Sequence, residues 1–147
     1  VDTKAAKFEA CRKAGADATV DASSGRVAEQ LLELTSGDGV DVVVDYVSSK
    51  STLEAGAKAL GRRGRLVTLG GSSQPFQVSA SDMLTKEQDL LGSRYVTRRE
   101  ILDTLELVAR GEVFPLVSVV RPLEDAEAVH DLVERGEVIG RAALAVL

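Results

Sequence analysis

The stretch "VDVVVDYV" (Val40–Val47) is an almost unbroken run of β-branched residues. Such side chains are stiff at χ1 and favour extended backbone. Without strict polar alternation, the run suits a strand buried on both faces, and strands of that kind belong to parallel sheets covered by helices. The flanking segments fit that setting. Upstream, "GRVAEQLLELTSGDG" (Gly25–Gly39) places Val27, Leu31 and Leu34 at helical spacing and exits through glycines. Downstream, Ser51 and Glu54 have capping-box spacing at the head of "LEAGAKAL" (53–60), and Gly61 and Gly64 are expected to end that helix. "RLVTLGG" (Arg65–Gly71) follows as a second apolar strand that stops in paired glycines.

The same alternation extends in both directions. Lys4 to Ala14 reads as a helix with Phe8 and Cys11 on one face, ended at Gly15, and "ATVDA" (Ala18–Ala22) is short and β-like. Beyond Gly71, "SSQPFQVSAS" (72–81) reads as a loop, "DMLTKEQ" (82–88) as a short helix, and "DLLGSRYV" (89–96) as a strand interrupted by Gly92. Thr97 and Glu100 form a capping box that opens "REILDTLELVAR" (99–110) ahead of Gly111. "VFPLVSVVRPL" (113–123) is extended between Pro115 and Pro122, Glu124 to Arg135 is helical, Gly136 stops it, and "GRAALAVL" (140–147) closes as a strand. Strands alternating with helices predict an α/β, doubly wound parallel sheet. Ligands of that class sit outside the carboxyl ends of the strands. The ends of "VVVDYVSS" and "VTLGG" are therefore the places to look for function.

Bulk properties exclude several classes. A chain of 147 residues has the length of one domain. Its net charge of −5 argues against an electrostatic nucleic-acid footprint. Aromatic residues make up 3% and tryptophan is absent, so base-stacking platforms are not expected. One cysteine and one histidine make neither an internal disulfide nor a structural zinc site. No apolar run has membrane-spanning length and the first residues do not read as a signal peptide, so the expected location is cytoplasmic.

Few residues stand out as chemical. Asp2, at the end of a short β-like start, is either an N-cap for the following helix or an acceptor for ribose hydroxyls that repels a 2′-phosphate. Gly70 and Gly71 either let backbone approach a ligand or make a plain turn. Arg141 either clamps a pyrophosphate or is a solvated surface residue. His130 reads as structural and Cys11 as a small buried hydrophobe. No nucleophile elbow, P-loop or G-x-G-x-x-G is present.

Taken in order, "VDTKAAKFEACRKAGAD" (1–17), "GVDVVVDYVSS" (39–49), "GRLVTLGG" (64–71), "LLGSRYVTRREILDTLELVARGEV" (90–113) and "GEVIGRAALAVL" (136–147) resemble the coenzyme-binding half of the zinc-dependent medium-chain alcohol dehydrogenases. The resemblance runs over essentially the whole chain. It implies an NAD-dependent oxidoreductase that moves hydride between an alcohol or carbonyl substrate and the nicotinamide, with a catalytic zinc as Lewis acid.

By resemblance, Asp2 matches the acidic residue that selects NAD over NADP, and Lys7 the lysine that also reaches the adenosine ribose. Tyr46 and Val47 match positions flanking the adenosine and the nicotinamide ribose. Leu69, Gly70 and Gly71 match the segment lining the nicotinamide. Ser93 to Tyr95 match the strand whose backbone meets the carboxamide, and Arg141 matches the arginine that binds the pyrophosphate.

The zinc ligands, the family's first coenzyme strand and its glycine turn are expected outside residues 1–147. The chain is thus expected to be a Rossmann-like, partial NAD-binding domain, inactive alone, from a protein that forms homo-oligomers. In the strand order 3-2-1-4-5-6, lack of strand 1 predicts a split sheet, exposed strand edges, pairing with a second copy and weak cofactor binding. The alternatives are a zinc-free quinone or enoyl reductase of the same superfamily, or a non-enzymatic α/β binding domain in which Asp2 only caps a helix.

Overall fold

In the computed structural model, residues 1–146 are described and the chain falls into two units, Val1–Tyr95 and Val96–Leu147. The first runs α1 (Phe8–Lys13), α2 (Val27–Leu34), β1 (Val40–Asp45), α3 (Lys50–Ala59), β2 (Leu60–Thr68), α4 (Ala80–Lys86) and β3 (Asp89–Gly92). Its three strands form one parallel sheet in the order β1-β2-β3. The core is a cluster of Leu53 on α3 with Leu60 and Leu66 on β2, against which Val40, Val43, Ala57, Phe76 and Leu90 pack. Burying each such leucine contributes about 1.5–3 kcal/mol. Gly56 brings α3 close to the sheet, since a Cβ there would lie 3.0 Å from Val43 Cγ1 and 3.2 Å from Leu66 Cδ1.

The helix ahead of β2 begins and ends differently from the sequence expectation. Its capping box is Ser49 with Thr52: each side chain bonds the other's backbone N–H, displacing the expected Ser51–Glu54 pair. Glu54 instead accepts the Gln77 N–H at 2.9 Å. The helix stops at Ala59, with Leu60 already extended (φ −63, ψ 136), so Gly61 and Gly64 belong to β2. They serve a register slip. Val40 pairs with Leu60 and Val42 with Arg65, so the intervening residues bulge, with Arg63 at φ 58. At Gly61 a Cβ would sit 2.5 Å from the Asp38 carbonyl oxygen, so the bulge and the preceding loop fit only without a side chain.

Three other expectations are corrected. β1 is not covered on both faces: Val43 meets the core, whereas Val42 and Val44 are 46% and 48% exposed. The reason is one-sided cover, since α3 packs against the face of β1 that carries Val43. Ala18–Ala22 is not a full strand. Asp2 and Asp21 form a single parallel bridge outside the sheet, through Asp2 N–H to Val20 O at 3.2 Å and Ala22 N–H to Asp2 O at 3.0 Å. Cys11 is exposed, because α1 buries none of its residues.

The second unit comprises α5 (Arg98–Ala109), β4 (Val117–Pro122), α6 (Ala126–Glu134) and β5 (Arg141–Ala145), with β4 and β5 parallel. Thr97 and Glu100 make the expected capping box. Val129 is buried on α6 and His130 beside it is exposed. Leu147, the last residue of the expected closing strand, lies outside the described residues.

Gly61→Ala is expected to lower stability by about 1–3 kcal/mol through overpacking against backbone. Urea denaturation followed by circular dichroism measures it, and a midpoint equal to that of the wild type would show that the bulge relaxes freely.

Candidate functional site

At the carboxyl ends of the sheet, Asp45, Thr68 and Gly92 are consecutive register partners across β1, β2 and β3. The backbone beyond them remains tied. Leu69 N–H and Gly70 N–H both donate to the Asp45 carbonyl, at 2.9 and 3.4 Å, and Ser93 N–H donates to the Thr68 carbonyl at 3.0 Å. The segments Tyr46–Val47, Leu69–Gly71 and Ser93 therefore emerge side by side at one end of the sheet. Tyr46, Val47 and Leu69 present exposed side chains there.

Asp45 is 7% exposed and organises this end. Its Oδ1 accepts the Val47 N–H at 2.8 Å and the Ser48 N–H at 2.9 Å, while Oδ2 is buried and has no partner. The turn so formed places Ser48 in the left-handed region (φ 54), with its hydroxyl hydrogen-bonded to that of Thr68. Gly70 closes on the same turn: a Cβ on it would lie 2.6 Å from Tyr46 O, 2.8 Å from Ser48 Oγ and 2.8 Å from Val47 C. Nothing lies within 4 Å of a Cβ at Gly71. Only the first glycine of the pair is sterically required, and protein fills the space it leaves.

Each of the other expected residues has its own local contacts. Tyr95 has φ 64 and is 84% exposed; the Arg94 guanidinium stacks 4.6 Å from its ring centroid and donates to its hydroxyl at 2.9 Å. Asp2 stands at its isolated bridge. Its Oδ1 accepts the Lys4 N–H at 2.9 Å and its Oδ2 pairs with Lys7 Nζ at 3.0 Å. Partial desolvation raises the Asp2 carboxyl, but the Lys4 N–H and the Lys7 ammonium outweigh it and hold the group below its ordinary value of 3.8. Arg141 begins β5 in the second unit, exposed, with its N–H on the Leu116 carbonyl at 2.7 Å.

Sequence reasoning passed over Asp45, Ser48 and Thr68. A signal was present, since an aspartate ending a β-branched strand and followed by serines is turn chemistry. Among the described residues, no group of three His, Cys, Asp or Glu is placed to hold a metal ion, and no helix is long and apolar enough to cross a membrane.

Gly70→Ala is expected to cost about 1–3 kcal/mol, and Gly71→Ala to stay within about 0.5 kcal/mol of the wild type, in parallel urea titrations. Because the Asp2 carboxyl is depressed in the folded state, its contribution is complete above 3.8 and is lost as the pH falls through the folded value. The stability gap between wild type and Asp2→Asn should therefore be open at neutral pH and close in strong acid; a gap independent of pH would contradict the depressed carboxyl.

Comparison with known proteins gives the family. The family model described as zinc-binding dehydrogenase matches residues 1–110. The NAD-dependent alcohol dehydrogenase of Saccharolobus solfataricus is 30% identical over 144 residues, covering 98% of this chain and 42% of that protein. The crystal structure of the alcohol dehydrogenase of Aeropyrum pernix superposes with a TM-score of 0.88 at 32% identity, over 99% of this chain and 41% of that one. An acryloyl-coenzyme A reductase of Metallosphaera sedula is 25% identical over 120 residues, 80% of this chain and 36% of its own length. The chain thus spans well under half the length of these relatives. With a Rossmann-type parallel sheet whose exposed loops gather at the strand ends, and a family match over most of its length, the chain belongs to the zinc-binding dehydrogenase family.

Proposed function

We propose that residues 1–147 are the coenzyme-binding part of an NAD-dependent, zinc-dependent alcohol dehydrogenase. The observation that carries this reading is the Asp2–Lys7 pair, an ionised carboxylate and an ammonium 3.0 Å apart beside the isolated Asp2–Asp21 bridge. A carboxylate accepts both hydroxyls of a ribose diol, and its charge disfavours the 2′-phosphate of NADP. The donor set therefore fits NAD. The cofactor, when bound, supplies the hydride acceptor.

This chain's residues bind and orient it. Asp2 and Lys7 hold the adenosine ribose, and Tyr46 and Val47 flank the adenosine and the nicotinamide ribose. Leu69, Gly70 and Gly71 line the nicotinamide, whose carboxamide meets the backbone of Ser93 to Tyr95. Arg141 binds the pyrophosphate. The parallel strands support the reading by ending together, and the fit of Gly70 against Tyr46 and Val47 keeps two of these segments in contact. The substrate is an alcohol or the matching carbonyl compound. Zinc, in this reading, is held by residues outside this chain, and the whole protein works in the cytoplasm as a homo-oligomer.

Similarity to the acryloyl-coenzyme A reductase favours a second reading, a zinc-free enoyl reductase built on the same coenzyme half. Exhaustive chelation of the whole protein separates the two, since only the alcohol dehydrogenase loses turnover.

In the whole protein, Asp2→Ala is expected to raise the KM for NAD about tenfold, as for loss of a charged hydrogen-bond partner. It should also relax discrimination against NADP. Steady-state kinetics with both cofactors measure this, and an unchanged cofactor preference would remove Asp2 from the site.

A further inference from the structure

We propose that Asp45 is a positioning residue for the nicotinamide half of the cofactor, an assignment that rests on the NAD reading above. Through two of its oxygens Asp45 ties together two of the segments assigned to that half, the one at Val47 and the one at Leu69–Gly70. Its side-chain Oδ1 holds the N–H groups of Val47 and Ser48, and its main-chain carbonyl holds those of Leu69 and Gly70. Hydrogen bonds in a buried setting are costly to leave unmade. They oppose the strain of Ser48 at φ 54, a region that a serine enters at some cost. Once Ser48 is so placed, its hydroxyl meets that of Thr68 on β2, and Gly70 fits against Tyr46 and Val47 with no room for a methyl group.

The carboxylate is not itself assigned to the cofactor; it sets where the backbone of Val47 and Ser48 lies, while the main-chain carbonyl holds Leu69 and Gly70. Oδ2 has no donor, so the positioning is the work of Oδ1, and a neutral side chain with an oxygen at that place can perform it. The adenosine half is handled by Asp2 and Lys7, which share no hydrogen bond with this turn. Loss of the Asp45 acceptor is therefore expected to act on one half of the dinucleotide only.

The test compares two ligands on the whole protein. NADH carries the nicotinamide and ADP-ribose lacks it, and calorimetry gives the affinity of each. Asp45→Ala is expected to weaken NADH about tenfold and to leave ADP-ribose within about twofold, whereas Asp45→Asn keeps both close to wild type. Should the alanine variant fail to fold, Asp45→Leu, which fills the same space without an acceptor, carries the same expectation. Equal weakening of both ligands, no weakening of either, or an asparagine variant as impaired as alanine would each overturn the assignment. Wild-type protein that binds neither ligand overturns the NAD reading itself, and with it this role.

Discussion

The parallel pairing of Val42–Asp45 with Arg65–Thr68 is the constraint from which the first unit follows. It brings the ends of two strands level, which a parallel connection through α3 makes possible and a hairpin does not. The pairing depends on Leu66 and Leu60 being sealed beneath α3 and on Gly56 letting that helix approach. It also depends on absorbing a mismatch, because three residues more lie on β2 than on β1 between the first two paired positions. The glycine-lined bulge takes up the difference at the amino end, far from where the loops converge. Irregularity is confined to one end of the sheet, and in-step register is kept at the other.

Much of this was legible in the amino-acid sequence. The β-branched run at Val40, the apolar strand at Leu66 and the capping box at Thr97 each have a local cause, and each forms an element of the expected kind, although β1 is covered on one face only. The places that misled are those where a local rule met a tertiary competitor. Ser51 and Glu54 have capping-box spacing, but Ser49 caps two residues earlier and Glu54 is engaged by the Gln77 backbone. Gly61 and Gly64 look like helix terminators, yet their lack of side chains is needed between neighbouring strands. Cys11 has the chemistry of a buried residue and no element to be buried against.

The functional end shows the same division. Gly70 and Gly71 are indistinguishable in sequence, and only the packed structure separates the one whose missing side chain is used from the one whose is not. Lys7 was named through the family resemblance alone, and its pairing with Asp2, five residues away on the same short segment, is visible only in the structure. Asp45 was hidden for a different reason. Its carbonyl partners, Leu69 and Gly70, lie just past β2, more than twenty residues away, and its side-chain role is that of a turn former inside what reads as a strand.

The outer side of β1 carries a consequence for dynamics. A strand paired on one edge protects only every second amide, and β1 has its sole described partner in β2. Along these six residues, amide exchange with solvent deuterium should alternate, slow where the N–H points toward β2 and fast where it points away. Val42 and Val44, valines without cover, mark the same stretch. A periodicity of two in protection would then separate this strand from β2, which is hydrogen-bonded on both sides from Arg65 to Thr68.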